Sequence, residues 1–574
     1  MTSFRKFRGL LVLFFLSSIF LVTAAPPTAQ AQDVIVTQAI PDQAPQGMVS
    51  LNVQVKGNGF KKGAIAKWLV TGSETDTGGV TVNSTAFVNS NELLANITIA
   101  GEAQTEKKYD IKVTLTGGRT GKGIELFSVI KKGSTGCTAP TPILAAPWSC
   151  LLPGASGCQD TTFGNDGLVI TNTSGSLPTM NDIDIAKAVA IQSDGKLIVA
   201  GGSRDTAGLN NMAVVRYTPD GTLDLSFGTN GITRLYDPYA WARTVAIQSD
   251  GKIIMAGGSR IARLNPDGTF DTSFGSGGVV VTTFPSGRKG KPGQMLDMSI
   301  SEFVIQSDGK IVLVGTTSWI GWAIQRLNPG GTLDPTFGTG GRFAPQVNGG
   351  SVAAVALQRV QVGEAIEEWI LAGGSLMPTS WPNEDNDFGV MRLTPSGSLD
   401  TTFGPSGTGM TMTDFCGNTD HIEGLAQDAA GNIIAGGVSN LGGPWNYAVA
   451  RYSPNGILDA TYGDPDSGTN QPGRTIVSLM AGDSNPHGLL LQTDGKAIVT
   501  GSAANQNYFG LVRFHIDGTL DTTFGSGGVV VTDFGPGGEY AYKGVIQSDG
   551  KIVVVGTVDT NGTGYNFGAA RYWP

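Results

Sequence analysis

Aromatic residues that could bind sugars or protein side chains recur in the loops that differ most between the internal repeats of this chain. Nine of them are predicted to lie on one face of the repeat domain: Tyr239, Trp241, Trp319, Trp322, Trp381, Trp445, Tyr508, Tyr540 and Tyr565. Exposed aromatic rings stack on sugars and anchor protein interfaces. Any single one of them could instead pack between repeats, so the prediction of a binding face depends on the group.

Two of these variable loops carry charges of opposite sign. Arg288, Lys289 and Lys291 make one loop basic, whereas Glu384, Asp385 and Asp387 make another loop acidic. Two carboxylates about 5–10 Å apart can hydrolyse a glycosidic bond. Residues such as Glu384 or Asp385 in a central cleft would therefore make the protein an extracellular glycan-active enzyme, which is the alternative to binding without catalysis.

The sequence predicts no metal and no cofactor. His421, His487 and His515 do not have metal-ligand spacing with one another or with a cysteine. A Gly-x-Ser-x-Gly elbow and a phosphate-binding glycine loop are both missing. Residues 464–470 resemble a calcium loop but lack its closing bidentate glutamate, so we interpret them as a polar loop.

A Phe-Gly or Tyr-Gly pair marks each copy of the repeat. The aromatic members are Phe163, Phe227, Phe274, Phe337, Phe403, Tyr462 and Phe524, at intervals of 64, 47, 63, 66, 59 and 62 residues. Self-similarity at a long period indicates a repeat architecture, in which each unit is one supersecondary motif.

Each unit contains four alternating runs joined by tight turns. In the first unit, Asp194-Gly195 separates two apolar runs, and Pro219-Asp220-Gly221 separates the third from the fourth. Asp-Gly between alternating runs is a strong hairpin signal. Seven units of four short antiparallel strands (A to D, from the axis outward) predict an all-β, seven-bladed propeller. A β-solenoid is the less favoured alternative. Residues 359–368 replace the tight turn of the fourth unit.

The two kinds of connection are predicted to lie on opposite faces. The A–B and C–D turns are short and uniform and define a turn face. The B–C and D–A loops vary in length and content and define a loop face, which is where a ligand would bind, because variable loops on a rigid scaffold usually carry function.

The phase of the repeat predicts how the ring closes. Residues 158–171 form an outer strand without a blade, whereas the last blade lacks its outer strand, so joining the two removes both open edges. Six C strands carry an Arg that is followed eight residues later by an Asp, for example Arg216/Asp224 and Arg513/Asp521. By closure, Arg571 should pair with Asp160.

Two resemblances to known families support this organisation. Over residues 158–574 the chain resembles the bacterial delta-60 repeat, through the motifs Leu-Asp-Thr-Thr-Phe-Gly, Ile-Gln-Ser-Asp-Gly-Lys and Ala-Arg-Tyr.

Residues 33–130 alternate polar and apolar residues as in a β-sandwich. The stretch from Pro41 to Phe60, with Tyr109-Asp-Ile-Lys-Val, resembles the immunoglobulin-like IPT/TIG family. That resemblance implies a spacer or adhesion module.

The remaining segments indicate export. Residues 1–31 have a basic start, an apolar run and a small-x-small end, as a signal peptide does; an uncleaved anchor is the alternative. The whole chain has 574 residues and a net charge of −9. Removing this segment makes the charge more negative, which argues against nucleic acid. No later segment is apolar enough to cross a membrane.

Residues 131–157 are predicted to be a Pro/Gly/Cys linker. The cysteines are Cys137, Cys150, Cys158 and Cys416, whose pairing stays open.

We therefore expect an exported protein, at the cell surface, outside the cell or in the periplasm, that binds an extracellular protein or glycan without catalysis. A glycan-active enzyme is the first alternative. A self-assembling surface layer or filament is the second.

Overall fold

The structure is a computed structural model. It describes residues 34–40, 43–45, 51–100, 103–104, 107–130, 142–143, 154–173, 183–204, 209–236, 241–285, 294–318, 321–345, 347, 350–377, 386–405, 407–415, 419–440, 443–463, 472–480, 482–559 and 564–574. The proposed signal peptide and most of the proposed linker lie outside these ranges. No helix in the described ranges is long and apolar enough to cross a membrane.

The first eight strands form two four-stranded sheets that share one core. The strands are β1 Ile35–Ile40, β2 Gln43–Pro45, β3 Leu51–Asn58, β4 Ile65–Val70, β5 Val80–Asn89, β6 Glu92–Ile99, β7 Lys108–Thr114 and β8 Thr120–Ile130. The sheet orders are β1-β3-β6-β5 and β2-β8-β7-β4. Trp68 is fully buried and meets Phe127 edge to face at 5.9 Å. The fold is thus the expected β-sandwich.

Seven four-stranded sheets follow, and they are the blades of the predicted propeller. The first strand of this region is β9 Leu168–Thr171, and a small two-stranded sheet, β18 Thr283–Pro285 with β19 Met295–Asp297, lies between blades 2 and 3. Blade 1 is β10 Ile185–Ile191, β11 Leu197–Arg204, β12 Asn210–Tyr217 and β13 Ile232–Tyr236. Blade 2 is β14 Thr244–Ile247, β15 Ile253–Gly257, β16 Arg260–Leu264 and β17 Val279–Val281. Blade 3 is β20 Ser299–Ile305, β21 Ile311–Thr317, β22 Gly321–Leu327 and β23 Arg342–Phe343.

The remaining four blades repeat this order. Blade 4 is β24 Val352–Val362, β25 Ala365–Leu376, β26 Asp387–Leu393 and β27 Met410–Thr413. Blade 5 is β28 Thr419–Gln427, β29 Ile433–Asn440, β30 Trp445–Tyr452 and β31 Arg474–Val477. Blade 6 is β32 Asn485–Leu491, β33 Ala497–Ala503, β34 Tyr508–Phe514 and β35 Val529–Thr532. Blade 7 is β36 Glu539–Ile546, β37 Ile552–Val558, β38 Asn566–Tyr572 and, as its outer strand, β9.

The blades are held together by apolar side chains on both faces of their middle strands. All seven residues of β37 are buried. Ile198 and Val214 of blade 1 pack in one cluster with Met255 of blade 2. Because every blade is covered by two neighbours, its middle strands are continuous apolar runs, as in other sheets that are buried on both faces.

The ring closes through β9, as the phase of the repeat predicts. Residues Leu168 to Thr171 pair antiparallel with β38 near the end of the chain. Arg571 Nε donates a hydrogen bond to Asp160 Oδ2 at 2.8 Å, across 411 residues of sequence. The last blade therefore has four strands.

The repeated Arg and Asp form a clamp in every blade. In blades 1 to 6 the Asp backbone N–H donates to the carbonyl oxygen of its Arg, which shows that the two residues lie opposite each other. The seven Arg Nε to Asp Oδ2 distances are 2.7–2.9 Å. We call these seven pairs the clamp ring: Arg216/Asp224, Arg263/Asp271, Arg326/Asp334, Arg392/Asp400, Arg451/Asp459, Arg513/Asp521 and Arg571/Asp160.

The clamps also join each blade to the next one. Arg216 donates through Nη1 to the carbonyl oxygen of Pro266 in the following C–D turn, and Arg571 does the same to Pro219 of blade 1. The guanidinium carbon lies 4.3–4.7 Å from the ring centre of the Phe or Tyr that marks the repeat. The glycine after that aromatic residue donates its N–H to the neighbouring turn, as Gly228 does to Asp267. The repeated motif is therefore the contact between blades.

Three departures from regularity are visible. The fourth unit keeps its A–B hairpin but extends it, since β24 and β25 pair as far as Val362 and Ala365. In the proposed linker, Ile143 forms a parallel bridge with Leu479 of the propeller. Cys158 is disulfide-bonded. Because Cys137, Cys150 and Cys416 lie outside the described residues, the identity of its partner stays a prediction.

Candidate functional site at the propeller channel

An irregular position near the start of six inner strands supplies most of the side chains of the candidate site. Pairing with the second strand skips one residue near the start of five inner strands, and it skips Tyr542 and Lys543 in blade 7. In blade 2, Arg243 has the same spacing from the A–B turn. Each member is the fifth residue before a Gln or Asp that opens the A–B turn in every blade except the fourth, where Gln358 lies within the extended hairpin. We call the set the bulge ring: Lys187, Arg243, Ser301, Ala353, Glu423, His487 and Tyr542.

A bulge explains why these side chains leave the packed blades. The extra residue has no partner in the ladder, and the local kink re-aims its side chain. The bulges lie near the start of the inner strands, which is their loop-face end. The variable residues of the inner strands therefore face the mouth of the channel.

Contacts between blades that are not neighbours show that these side chains converge on the axis. Lys543 of blade 7 pairs with Glu302 of blade 3. The pKa of Lys187 in blade 1 is influenced by Glu423 of blade 5. Since Lys543 and Glu302 are 18–24 % exposed, solvent reaches the cluster.

One side of the channel is cationic and aromatic. Lys187 Nζ lies 3.9 Å from the ring centre of Tyr542, and the His487 ring lies 4.9 Å from the same ring at 32°. Burial and the charge of Arg243 lower the pKa of Lys187 to about 8, against the opposing effect of Glu423. Burial raises the pKa of Tyr542 to about 12, so its hydroxyl stays protonated at neutral pH.

The opposite side carries the carboxylates. Burial disfavours the charge of Glu423, but His421, His487 and Lys543 outweigh this effect and lower the pKa of its carboxyl. His421 Nδ1 lies 3.1 Å from Glu423 Oε1, and its Nε2 is 2.8 Å from the hydroxyl of Ser351. Glu423 is therefore an ionised acceptor inside the channel.

Five of the predicted aromatic residues are described on the loop face and are half-buried: Trp241, Trp445, Tyr508, Tyr540 and Tyr565. The structure brings two of them together, since the rings of Tyr540 and Tyr565 meet edge to face at 5.9 Å. Both lie close enough to Tyr542 to raise the pKa of its hydroxyl. This pair extends the aromatic side of the channel toward the loop face.

Three predicted site residues have structural surroundings instead. Trp322 is fully buried and donates through Nε1 to the carbonyl oxygen of Ser375 at 3.1 Å, so a surface ligand does not reach it. Asp387 is the first residue of β26 and is 7 % exposed, so it does not belong to an exposed acidic loop. Trp241 packs on Gly202, where a β-carbon would lie 2.2 Å from its ring. Trp322 and Asp387 lie on third strands whose ends are covered by the neighbouring blade, whereas Trp241 precedes the inner strand β14 and itself covers β11 of blade 1.

The other predicted site residues lie outside the described ranges: Tyr239, Arg288, Lys289, Lys291, Trp319, Trp381, Glu384 and Asp385. Their place on the loop face remains a sequence prediction.

A second charged cluster lies between blades 4 and 5. Carboxylate oxygens of Asp387, Asp414 and Asp420 lie within 4.8 Å of one another, which is close enough for three metal ligands. The buried Arg474 lies in the field of the same three carboxylates. Burial raises the pKa of Asp420 to about 7. A buried arginine and a partly protonated aspartate can balance this cluster without a metal.

Sequence reasoning missed the channel residues themselves. The spacing signal was present, because the fifth residue before the A–B turn differs in all seven copies. His421 and His487 have no metal-ligand spacing in the sequence, yet they lie in one cluster with Glu423. The partners Tyr542 and Glu423 are 55 and 64 residues from His487 in sequence, so no local motif reveals them.

Comparison with known proteins agrees with the architecture. Seven segments match the model of a family described as "Domain of unknown function (DUF5122) beta-propeller". They are residues 192–227, 248–274, 306–337, 369–403, 431–462, 492–524 and 547–574. The repeat domain is a β-propeller. Each matched segment of this propeller includes at least one strand of a blade. None of the curated proteins compared with the chain matches it.

Similar solved structures share little sequence with the chain. A gluconolactonase from Xanthomonas campestris is 14 % identical, with 76 % of this chain and 99 % of that chain covered and a TM-score of 0.30. A polysaccharide lyase is 10 % identical, with coverages of 68 % and 90 % and a TM-score of 0.38. Likeness at this level carries no statement about activity.

Proposed function

We propose that this protein is an exported or cell-surface binding protein whose propeller recognises an extracellular glycan or protein at the loop-face mouth of its channel. The observation that carries the proposal is the contrast between positions of the repeat. The clamp pairs are the same in all seven blades, whereas the bulge ring has seven different residues. A ring that only filled the channel would not need charged, aromatic and hydrogen-bonding side chains together.

The surroundings of the ring support binding at this end. Tyr540 and Tyr565 lie beside Tyr542 on the loop-face side, and Arg243 is exposed. Aromatic and arginine side chains are enriched where proteins recognise partners. The predicted basic and acidic loops would extend this surface.

The N-terminal sandwich supports the same proposal as a spacer. The resemblances to IPT/TIG domains and to delta-60 repeats, together with the signal-peptide pattern of residues 1–31, place the protein outside the cytoplasm in this proposal. The sandwich would then hold the propeller away from its site of attachment.

A glycan array and a pull-down with residues 32–574 test the binding function. The informative variant combines Lys187→Ala with Tyr542→Ala, and the matched control is Lys67→Ala on the exposed surface of the sandwich. We expect a ligand that the control retains and the channel variant loses. Ligands that bind both variants equally would move recognition away from the channel.

One observation favours a glycan-active enzyme as the second candidate. Glu302 and Glu423 both lie in the channel, and a pair of carboxylates is what glycoside hydrolysis requires. Incubating array-positive glycans with the wild type and with Glu423→Gln and measuring new reducing ends tests this candidate. Product formed by the wild type and not by the variant would establish catalysis.

A further inference from the structure

We propose that the channel mouth binds a carboxylated sugar, such as a uronic acid unit of an acidic polysaccharide. The inference rests on the proposed binding function and names the chemical class of its ligand. It depends on the charges, the hydroxyl groups and the carboxylates that share the channel.

Two cations without a bonded carboxylate hold equivalent positions at the inner strands β10 and β14, which pack against each other. Among the described residues, Lys187 and Arg243 form no salt bridge, although they come from adjacent blades and repel each other electrostatically. Every clamp arginine, in contrast, has its aspartate. Lys187 is half-buried and Arg243 is exposed, and Glu423 offsets only part of the repulsion between them, so a bound anion would stabilise both charges. The pair therefore indicates a site for one carboxylate.

Hydroxyl and aromatic groups surround this cationic pair. Tyr542 contacts Lys187, and Tyr540 and Tyr565 continue the aromatic surface toward the loop face. Tyrosine presents an apolar ring and a polar hydroxyl, which suits a ring that is apolar on its faces and hydroxylated at its edge. The imidazole of His487 adds a further hydrogen-bonding group.

The carboxylates of the channel discriminate between kinds of anion. Glu302 of blade 3, which is paired with Lys543, and Glu423 of blade 5 both lie near Lys543 in the channel. They would repel a peptide with several acidic side chains, since like charges in a partly dehydrated site are costly. A uronic acid has one carboxylate and several hydroxyls, and these hydroxyls can donate to Glu423 or Glu302. The two cations without a bonded carboxylate, together with the acceptors Glu423 and Glu302, therefore fit an acidic sugar better than an acidic peptide.

Calorimetric titration of residues 32–574 with tri-galacturonate and tri-glucuronate tests the inference. The comparison ligands are a fully methyl-esterified tri-galacturonate and a hexaglutamate peptide. The variants are Lys187→Gln and Arg243→Gln, with Lys67→Gln as the control. We expect a uronate to bind, the ester and the peptide to bind at least about tenfold more weakly, and each channel variant to lose about tenfold or more.

The outcomes separate the two proposals. If the ester or the peptide binds as tightly as the acid and depends on Lys187, the sugar class is wrong and the binding function stands. If neither uronate binds but an array ligand depends on Lys187, the same conclusion holds. If no ligand depends on Lys187 or Arg243, both the inference and the channel as a binding site are overturned.

Discussion

The clamp ring and the bulge ring occupy the same seven blades and follow opposite rules. The clamp residues are the same in each blade, and every arginine bonds to its own aspartate and stacks on the marking aromatic residue. The bulge residues differ in each blade, and directly beside two of them Lys543 of blade 7 pairs with Glu302 of blade 3 across the channel. The repeat therefore fixes the contacts between blades and leaves one position of each inner strand free to vary, and this is the position at which we propose recognition.

Acid should have the largest effect on stability, because it acts on all seven clamps at once and not on a single pair. Burial opposes ionisation of Asp334, but Thr336 and Arg326 outweigh it and lower its pKa to about 2, and the pKa values of the other six clamp aspartates are lowered too. An aspartate whose pKa is lower in the folded chain than in the unfolded chain stabilises the fold at any pH above its unfolded pKa of about 4. This contribution is lost as the pH falls through the pKa of the aspartate in the folded chain. We expect the denaturant midpoint to fall steeply between about pH 4 and pH 2. A midpoint that stays level over this window would contradict the clamp mechanism.

Removing one carboxylate from the clamp ring is the next largest change. Asp521→Ala and Asp160→Ala each leave an arginine buried without its partner, so we expect a loss of about 3–5 kcal/mol in the free energy of unfolding. The exposed Asp194→Ala is the control, with an effect within about 0.5 kcal/mol. Chemical denaturation measures all three variants. A much smaller loss for Asp160→Ala than for Asp521→Ala would show that the closing clamp is weaker than the others.

Substitution of two tryptophans should distinguish a residue that packs in the core from one that contributes to the proposed binding face. Trp322→Ala empties a fully buried site and should cost about 3–5 kcal/mol in the free energy of unfolding. Trp445→Ala, on the loop face, should cost about 1 kcal/mol, within the range of ordinary substitutions. Thermal unfolding and ligand binding are measured on both variants. Equal destabilisation would place Trp445 in the core as well.

Binding of an anion at the channel should weaken as the pH rises through about 8. Burial and Arg243 lower the pKa of Lys187 to that value, Glu423 opposes the shift, and Tyr542 and His487 pack beside it. Deprotonation removes the positive charge, so the affinity for an anionic ligand should fall by about tenfold by pH 9. Lys187→Arg should keep the affinity level from pH 7 to pH 9, because arginine stays charged. The same decline in both proteins would assign the effect to another group.

The smallest effect is expected where the bulge ring alone is changed. Lys187→Ala and His487→Ala should change the free energy of unfolding by less than about 1 kcal/mol, because the half-exposed bulge residues have no partner in the strand ladder. Urea denaturation of each variant provides the measurement. A loss as large as that of Asp521→Ala would make the bulge ring structural and remove the contrast on which the binding proposal rests.

The blades were predictable because their signals are local. The Asp-Gly turns, the apolar runs and the eight-residue Arg–Asp spacing each report on residues that are close in sequence, and the resulting pairs lie opposite each other. Closure was predictable because an incomplete first unit and an incomplete last unit complement each other. Burial of Trp322 was not predictable, since the carbonyl of Ser375 that receives its hydrogen bond belongs to the next blade.

The number of blades, the turns between their strands and the pairing of Arg571 with Asp160 in the closing clamp all follow from the sequence alone. Tertiary structure decided which side chains meet inside the ring. Glu302 and Lys543 are 241 residues apart and meet only because a closed ring brings blades 3 and 7 to opposite sides of one channel. Local propensity acts over a few residues, whereas a contact across the axis depends on the closure of all seven blades.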